Sequence, residues 1–184
     1  MNARFGFRNA TAGDISGDGI SEIIIGSYLY DSSETDEGKV FVYYGSPGEL
    51  RQTSSWFSNS YRGGRETGNC VSSAGDVNGD GYKDVIVGDW LHFGERGIVS
   101  VYHGSQTGLS TTPNWVYDWI GPAANFGYSA STAGDVNGDG FSDIIVRAPS
   151  WDTVSGNIDE GAAFVFYGSA SGLSTSPNWR VESN

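Results

Sequence analysis

Short apolar runs rich in β-branched residues alternate with polar, glycine-rich loops along the chain. Three such runs, at 23–25, 85–87 and 144–146, each follow an acidic loop. They are too short for helices, and their composition is typical of strands buried on both faces of a sheet. A longer apolar and aromatic run comes next and leads to a Gly-Ser pair; these runs lie at 39–44, 98–102 and 162–167. The pattern predicts a protein built from β-strands.

The same order of features occurs three times. An Ala-Gly-Asp triplet opens each acidic loop, and the triplets begin at residues 12, 74 and 133, so the spacing is 62 and then 59 residues. A Phe-Gly or Thr-Gly pair precedes each triplet. A tryptophan follows each aromatic run, as Trp115, as Trp179, and in the looser segment 55–57 of the first unit. With the short strand before the acidic loop, each unit holds four strands.

A lone four-stranded sheet with two apolar faces needs neighbours stacked on it, and about 60 residues is the size of a propeller blade. We therefore predict an all-β fold of β-propeller blades, each with four antiparallel strands, that together form a partial propeller. The repeats are expected at 5–66, 67–125 and 126–184 within one propeller segment, 1–184. A twelve-strand sandwich and a β-solenoid are the alternatives.

Composition and charge exclude several classes of function. The chain has 22 acidic and 10 basic residues, and its net charge of -12 repels phosphate backbones, so we expect no nucleic-acid binding. No segment approaches the roughly 18 apolar residues of a membrane helix, so we expect no membrane insertion, and the first ten residues carry no export signal. The single cysteine, Cys70, cannot form an internal disulfide. The two histidines, His92 and His103, are interpreted as packed or surface residues rather than zinc ligands.

The strongest chemical signal is a nine-residue acidic loop in each repeat. Oxygen-bearing side chains stand at positions 1, 3, 5 and 9, glycine at position 6 permits a sharp bend, and the backbone carbonyl of position 7 can join them. This donor set predicts a site for a hard cation, and Ca²⁺ fits it better than Mg²⁺, which demands a stricter octahedron. The candidate ligands are Asp14, Ser16, Asp18, Ile20 and Glu22 in the first loop, Asp76, Asn78, Asp80, Tyr82 and Asp84 in the second, and Asp135, Asn137, Asp139, Phe141 and Asp143 in the third.

The alternative interpretation is an Asx-rich turn that binds no ion, for which Asp, Asn and Gly are also the expected residues. Three copies with acids at positions 1, 5 and 9 favour the metal site, because plain turns do not require acids at those spacings. The first loop departs from the others at Ser16 and Glu22, so its occupancy is the least secure. EF-hand and dockerin loops place a helix after the acids, whereas here a β-branched run follows, so the loop joins two strands.

The segments Phe126-Gly127, 133–140 and Ala148-Pro149 resemble the FG-GAP repeats of integrin alpha chains and related bacterial surface proteins. The resemblance implies one β-propeller blade per repeat, usually in a seven-bladed ring, with calcium in the hairpin loops on the side away from the ligand face. The first and second repeats depart from this pattern. Thr67 replaces the first phenylalanine of the motif in the second repeat, and Gly26-Ser27 and Gly88-Asp89 stand at the positions that we align with Ala148-Pro149 of the third.

Known propellers close with roughly four to eight blades, so three repeats leave two sheet faces uncovered. We expect a fragment of a larger secreted or cell-surface protein with further blades. The rival hypothesis is a homodimer in which two copies complete a six-bladed ring.

No nucleophile with a base, no pocket carboxylate pair and no open metal position stands out, so we expect no enzymatic activity. The favoured function is a calcium-stabilised scaffold for extracellular adhesion or for recognition of a protein or glycan ligand. The alternatives are a non-catalytic propeller segment of a secreted or surface hydrolase, and a lectin. Trp90, Trp119 and Trp151 lie outside the repeated tryptophan position and can stack on sugars, although packing between blades is the favoured interpretation of all three.

Overall fold

The computed structural model describes residues 3–31, 35–54, 56–59, 67–152 and 160–182. Within these ranges the chain forms three four-stranded antiparallel sheets, here called blades 1, 2 and 3, and almost no helix. The predicted all-β class and the four-stranded units are therefore confirmed. The boundary placed between 66 and 67 adjoins residues 60–66, and the end placed at 184 adjoins 183–184; both segments lie outside the described residues, so the exact repeat limits stay predictions.

In each blade the strands follow one another in space in the order of the sequence. Blade 1 contains β1 (Arg8–Gly13), β2 (Glu22–Ser27), β3 (Lys39–Tyr43) and, after a two-stranded hairpin of β4 (Gly45–Ser46) and β5 (Glu49–Leu50), β6 (Trp56–Asn59). Blade 2 contains β7 (Cys70–Gly75), β8 (Asp84–Asp89), then the four-residue helical turn α1 (His92–Glu95), β9 (Ile98–Tyr102) and β10 (Trp115–Asp118). Blade 3 contains β11 (Ser129–Gly134), β12 (Asp143–Ala148), β13 (Ala162–Phe166) and β14 (Trp179–Glu182).

The core consists of two layers, one between each pair of neighbouring blades. Between blades 1 and 2, Ile24, Val40 and Val42 pack in one cluster with Val85 and Val87 of the next blade. Between blades 2 and 3 a larger cluster joins the corresponding strands and includes Phe126, which is fully buried. Face-to-face burial of apolar side chains from stacked sheets is the main source of stability in such a fold.

The prediction of strands buried on both faces is right only for the middle blade. Every residue of β8 is buried, whereas Ile23 and Ile25 of β2 are half-buried and Ile145 of β12 is exposed. The reason is position in the stack: blade 2 has a sheet on each side, while each outer blade has a neighbour on one side only among the described residues.

Strand register corrects the alignment of the third repeat. Arg147 pairs with Ala163, just as Gly26 pairs with Val40, so Arg147-Ala148 corresponds to Gly26-Ser27 and Gly88-Asp89, one residue earlier than expected. The glycines have a physical reason: a Cβ at Gly26 or Gly88 would collide with the carbonyl of the Phe-Gly or Thr-Gly pair of the next blade.

The two ends of the strands differ in character. The acidic loops connect the first two strands of each blade at one end, while the Phe-Gly and Thr-Gly pairs and the turns after the second strands lie at the other. No helix of the described ranges is long and apolar enough to cross a lipid bilayer.

Candidate metal centre

The predicted nine-residue loops form the hairpin turns β1–β2, β7–β8 and β11–β12. Each bends at two glycines with positive φ, at loop positions 4 and 6, which in the middle loop are Gly79 (φ 73°) and Gly81 (φ 92°). Residues with a Cβ rarely adopt this conformation, so the glycines permit the tight bend. The bend directs the backbone N–H groups of the loop towards its first aspartate.

The aspartate at position 1 organises each loop. In the middle loop, Asp76 Oδ1 accepts hydrogen bonds from the N–H groups of Gly79 (2.7 Å) and Asp80 (3.1 Å), and Oδ2 accepts one from Gly81 (2.9 Å). Asp14 and Asp135 make the same three bonds in their own loops. These bonds favour the charged carboxylate and lower the pKa of Asp135 below its ordinary value.

Positions 3 and 5 are linked to each other. Asn78 Nδ2 donates to Asp80 Oδ2 (2.9 Å), and Asp80 N donates back to Asn78 Oδ1 (3.2 Å). Asn137 and Asp139 form the same pair in the third loop, at 2.8 and 3.0 Å. Ser16 has no amide to donate, so the first loop cannot form this pair, in line with its predicted departure from the other two.

The acid at position 9 is fully buried in all three loops and faces the inner side of the turn. Asp84 Oδ2 accepts from Val77 N (2.8 Å), and its Oδ1 accepts from Gly104 N (2.9 Å). Asp143 repeats both bonds, with Val136 N and Gly168 N as the donors. Glu22 differs, because Oε2 accepts from Ile15 N (2.8 Å) while Oε1, although the backbone amide of Gly45 is near this carboxyl group, is buried without a hydrogen bond of normal geometry. A buried carboxylate oxygen without a partner is costly.

Electrostatics distinguish the buried acid. Burial raises the pKa of Asp84 to about 7, against the hydrogen bonds from Val77 and Gly104, and the nearby carboxylates of Asp80 and Asp76 raise it further. The pKa of Glu22 is raised in the same way, by burial first and then by Asp18 and Asp14. Carboxylates close enough to repel one another are the electrostatic setting that a bound cation relieves.

The donor set fits a hard cation in its chemistry, because every side-chain donor is oxygen and three of the four are carboxylates. In the described residues, however, no three His, Cys, Asp or Glu side chains are grouped as metal ligands. Asp84 and Asp143 already accept backbone hydrogen bonds with both oxygens. The loops therefore bring the predicted ligands close to one another but do not converge them into a coordination shell, and the ligand assignment stays a prediction.

The residues at position 7 have a second role that the sequence did not indicate. The ring of Tyr82 lies over Gly17 in the preceding blade, and the ring of Phe141 lies over Gly79, so that a Cβ at either glycine would lie 2.6 or 2.5 Å from the ring. Ile20 stands at the same position of blade 1. The predicted ion ligand at position 7 is the backbone carbonyl, so this packing of the side chains does not conflict with it.

Backbone hydrogen bonds also connect the loops of blades 1 and 2 to the blade that follows each of them. Lys83 N donates to Asp14 O (3.0 Å), and Ser142 N donates to Asp76 O (2.8 Å). The serine of each Gly-Ser pair adds another bond, from Ser105 N to Ile15 O and from Ser169 N to Val77 O, both 3.1 Å. The repeated Gly-Ser pairs were a sequence signal for this contact, although the residues that they contact could not be read from the sequence.

His103 is a neighbour of the middle loop, which sequence analysis did not anticipate. Its Nδ1 lies 3.2 Å from Asn78 Nδ2, and burial lowers its pKa. His92 is buried, as its packed interpretation predicted, and its Nε2 lies 3.5 Å from Asp118 Oδ2.

At the opposite end of the strands, the three additional tryptophans have different environments. Trp119 and Trp151 pack against the cluster between blades 2 and 3, with their ring centroids 4.6 Å apart, which confirms packing for these two. Trp90 instead pairs with Tyr128 at 5.7 Å. It lines a groove of about 260 Å³ whose wall consists of Phe7, Arg8, Tyr28, Asn69, Trp90 and Tyr128.

Comparison with known proteins gives two matches to repeat families. The FG-GAP repeat family matches residues 126–166, and the FG-GAP-like repeat family matches residues 14–87. The two matches together cover more than half of the chain and include all three acidic loops.

Curated relatives agree with the repeat assignment. The chain is 31% identical over 164 residues to integrin alpha-PS2 of Drosophila melanogaster, and 33% identical over 151 residues to integrin alpha-6 of Homo sapiens; each alignment covers 82% of this chain. It is 32% identical over 148 residues to integrin alpha-11 of Mus musculus, which covers 75% of the chain. The aligned part is only 12%, 13% and 12% of these relatives, so the chain spans about an eighth of their length. The repeated sheets, the hairpin loops and these matches together show that the chain belongs to the FG-GAP repeat family.

Proposed function

We propose that the chain is a calcium-stabilised β-propeller scaffold of the adhesion type, which acts at the cell surface or in the extracellular space. The observation that carries the proposal is the acidic hairpin loop, repeated in all three blades, with a fully buried carboxylate beside two others. Similarity to integrin alpha chains supports the adhesion-type assignment. The proposal gives these residues no catalytic role.

Calcium would be held by the same positions of each loop. In the middle loop these are the side chains of Asp76, Asn78, Asp80 and Asp84, with the backbone carbonyl of Tyr82; the first loop would use Asp14, Ser16, Asp18, Ile20 and Glu22, and the third Asp135, Asn137, Asp139, Phe141 and Asp143. A divalent cation supplies positive charge among carboxylates that otherwise repel one another. In the first loop the ion would also give Glu22 Oε1 a partner.

The contribution to stability is large enough to measure. For a site with a dissociation constant near 10⁻⁴ M in about 1 mM free calcium, the linkage term is about 1.4 kcal/mol. Three such sites would contribute about 4 kcal/mol, a large part of the usual stability of a domain. The ions would therefore be structural, and they would also stiffen the loops to which the next blade is hydrogen-bonded.

Thermal unfolding with and without a chelator tests this proposal. We expect EDTA to lower the melting temperature and added CaCl₂ to restore it, with a smaller chelator effect in the Asp80→Asn variant. Glu49→Gln is a matched control, because it removes an exposed acid of β5 that is not among the candidate ligands. A melting temperature that EDTA leaves unchanged would refute the role of calcium.

The ligand would bind at the other end of the blades. The groove beside Trp90 has exposed aromatic rings, at Phe7 and Tyr128, next to the Arg8 guanidinium, which lies 4.9 Å from the centre of the Phe7 ring. Aromatic faces beside polar donors are suited to stacking on a sugar ring, and this groove is the specific observation in favour of a glycan rather than a protein ligand.

A glycan array and a protein pull-down, each with Trp90→Ala and Tyr128→Ala variants, test the ligand class. Loss of a glycan signal in both variants would support the lectin-like function. Trp179→Ala, which removes an exposed tryptophan outside the groove, is the control and should leave that signal unchanged. Protein capture that depends on the same two residues, with no glycan signal, would favour a protein ligand.

A further inference from the structure

The chain contains only two Asn-Gly pairs, and both lie in acidic loops. They are Asn78-Gly79 in the middle loop and Asn137-Gly138 in the third. Asparagine followed by glycine is the sequence most prone to spontaneous deamidation, because glycine has no side chain to hinder attack by its own backbone nitrogen. The first loop has Ser16 at the same position, and serine has no amide to lose.

The reaction joins the asparagine side chain to the backbone of the next residue. In the middle loop, Gly79 N loses its proton and attacks Asn78 Cγ, which forms a C–N bond and expels Nδ2 as ammonia. Water then adds across one of the C–N bonds of the resulting succinimide and gives aspartate or isoaspartate. A water is gained and an ammonia is lost, with no oxidant or reductant, and the residue becomes about 1 Da heavier.

The folded loop opposes the first step of this reaction. Gly79 N donates a hydrogen bond to Asp76 Oδ1 at 2.7 Å. Removing that proton would place a negative charge on Gly79 N directly beside the Asp76 carboxylate, where like charges repel. Gly138 N makes the same bond to Asp135 Oδ1, also at 2.7 Å. The position-1 aspartate of each loop therefore holds the attacking nitrogen in its unreactive, protonated form.

The side chain under attack is held as well. Asn78 Oδ1 accepts from Asp80 N (3.2 Å), and Asn78 Nδ2 donates to Asp80 Oδ2 (2.9 Å). Closure of the succinimide ring moves Cγ onto Gly79 N and releases Nδ2, so both bonds must break. Asn137 makes the same two bonds with Asp139, at 3.0 and 2.8 Å. These restraints are hydrogen bonds within the chain, so they operate with or without a bound ion.

We propose that Asn78 and Asn137 are modification sites, which the closed acidic loop protects and which deamidate when the loop opens. The product prevents the loop from closing as before. Isoaspartate adds a methylene group to the loop backbone, and either product replaces the amide that donates to Asp80 or Asp139 with a repelling carboxylate. Deamidation therefore marks, irreversibly, the loops of blades 2 and 3 that have opened, but not the loop of blade 1, whose position-3 residue is a serine.

Peptide mass spectrometry of the full chain, incubated in EDTA at pH 8 below its melting temperature, tests the proposal. Trypsin separates the two sites, because Lys83 and Arg96 lie between them. A gain of about 1 Da distinguishes deamidation from isomerisation of aspartate, which leaves the mass unchanged. Both asparagines should react at least about tenfold more slowly in the folded chain than in the chain unfolded in urea. EDTA removes calcium from both samples, so the outcome is independent of whether the loops bind it.

Two matched variants separate the local restraint from overall folding. Asp76→Asn keeps a side-chain oxygen but removes the charge beside Gly79 N. Asn78 should then react about tenfold faster, while Asn137 keeps its rate, and Asp135→Asn should have the reverse effect. A folded chain that deamidates at the unfolded rate would overturn the proposal. So would variants that accelerate neither asparagine, or that accelerate both alike, since the second result indicates general unfolding.

Discussion

Acidification should stabilise the calcium-free protein, because Asp84 holds a proton more tightly in the folded chain than in the unfolded one. Its pKa is about 7 when folded, against an ordinary value of 3.8. The corresponding contribution to stability is fully present below the unfolded pKa and is lost as pH rises through about 7. The difference of about three pKa units corresponds to roughly 4 kcal/mol between the two limits.

Thermal unfolding in EDTA between pH 5 and pH 8 measures this effect. Between pH 5 and pH 8 about 2.7 kcal/mol of this stabilisation is lost. For a chain of this size that corresponds to a melting temperature roughly 5–10 °C higher at the acid end, and stability should fall steadily from pH 5 to about pH 7 and level off above it. In saturating calcium the slope should reverse, because protons and the ion compete for the same carboxylate and acid then removes the stabilising ligand.

Variants assign the slope to one side chain. Asp84→Asn cannot titrate, so its calcium-free melting temperature should vary less with pH, even though the amide replaces one hydrogen-bond acceptor with a donor and lowers stability throughout. Glu49→Gln should keep the full slope. A calcium-free protein whose stability is flat or falls from pH 8 to pH 5 would refute the reasoning, as would an Asp84→Asn variant with an undiminished slope.

Two further predictions use matched positions in different blades, each measured by denaturant unfolding in dilute solution. Gly79→Ala should lower the free energy of unfolding more than Gly138→Ala does. Both introduce a Cβ at positive φ, which costs about 1–2 kcal/mol, but only the Cβ at position 79 would also collide with the ring of Phe141. Equal losses of stability in the two variants would contradict this contact. Trp115→Ala should cost about 3–5 kcal/mol through lost packing and a lost hydrogen bond, whereas the exposed Trp179→Ala should cost less than half as much, and similar costs would show that the two faces are equally covered.

Much of the fold could be predicted from local sequence. The acids at positions 1, 5 and 9 and the glycines of the acidic loops repeat at nearly constant spacing, and the β-branched runs that follow them are too short for helices and are typical of strands. The outcome confirmed hairpin loops between antiparallel strands because turn chemistry and strand composition are properties of neighbouring residues.

The remaining features depend on contacts between blades. Ile145 and Ile86 have the same strand position, yet Ile145 is exposed and Ile86 is buried, because within the part of the chain that the structure describes only blade 2 has a sheet on each side. The raised pKa of Asp84 arises from burial that the acidic motif alone does not reveal. The sequence comparison aligned Ala148-Pro149 with Gly26-Ser27, whereas strand register aligns Arg147-Ala148 with it. The Ala-Pro pair is recognisable in the sequence, but strand register is not.

The hydrogen bond from Ser142 N to Asp76 O means that the rigidity of an acidic loop depends on a residue of another blade. The acidic turns of blades 1 and 2 are each hydrogen-bonded by the chain of the following blade, so the rigidity of such a turn depends on two repeats rather than on one. In any open array of these repeats, the acidic turn of the last repeat lacks the interblade hydrogen bonds that the other turns have. Only a closed array, in which the last repeat contacts the first, would give every acidic turn the same contacts.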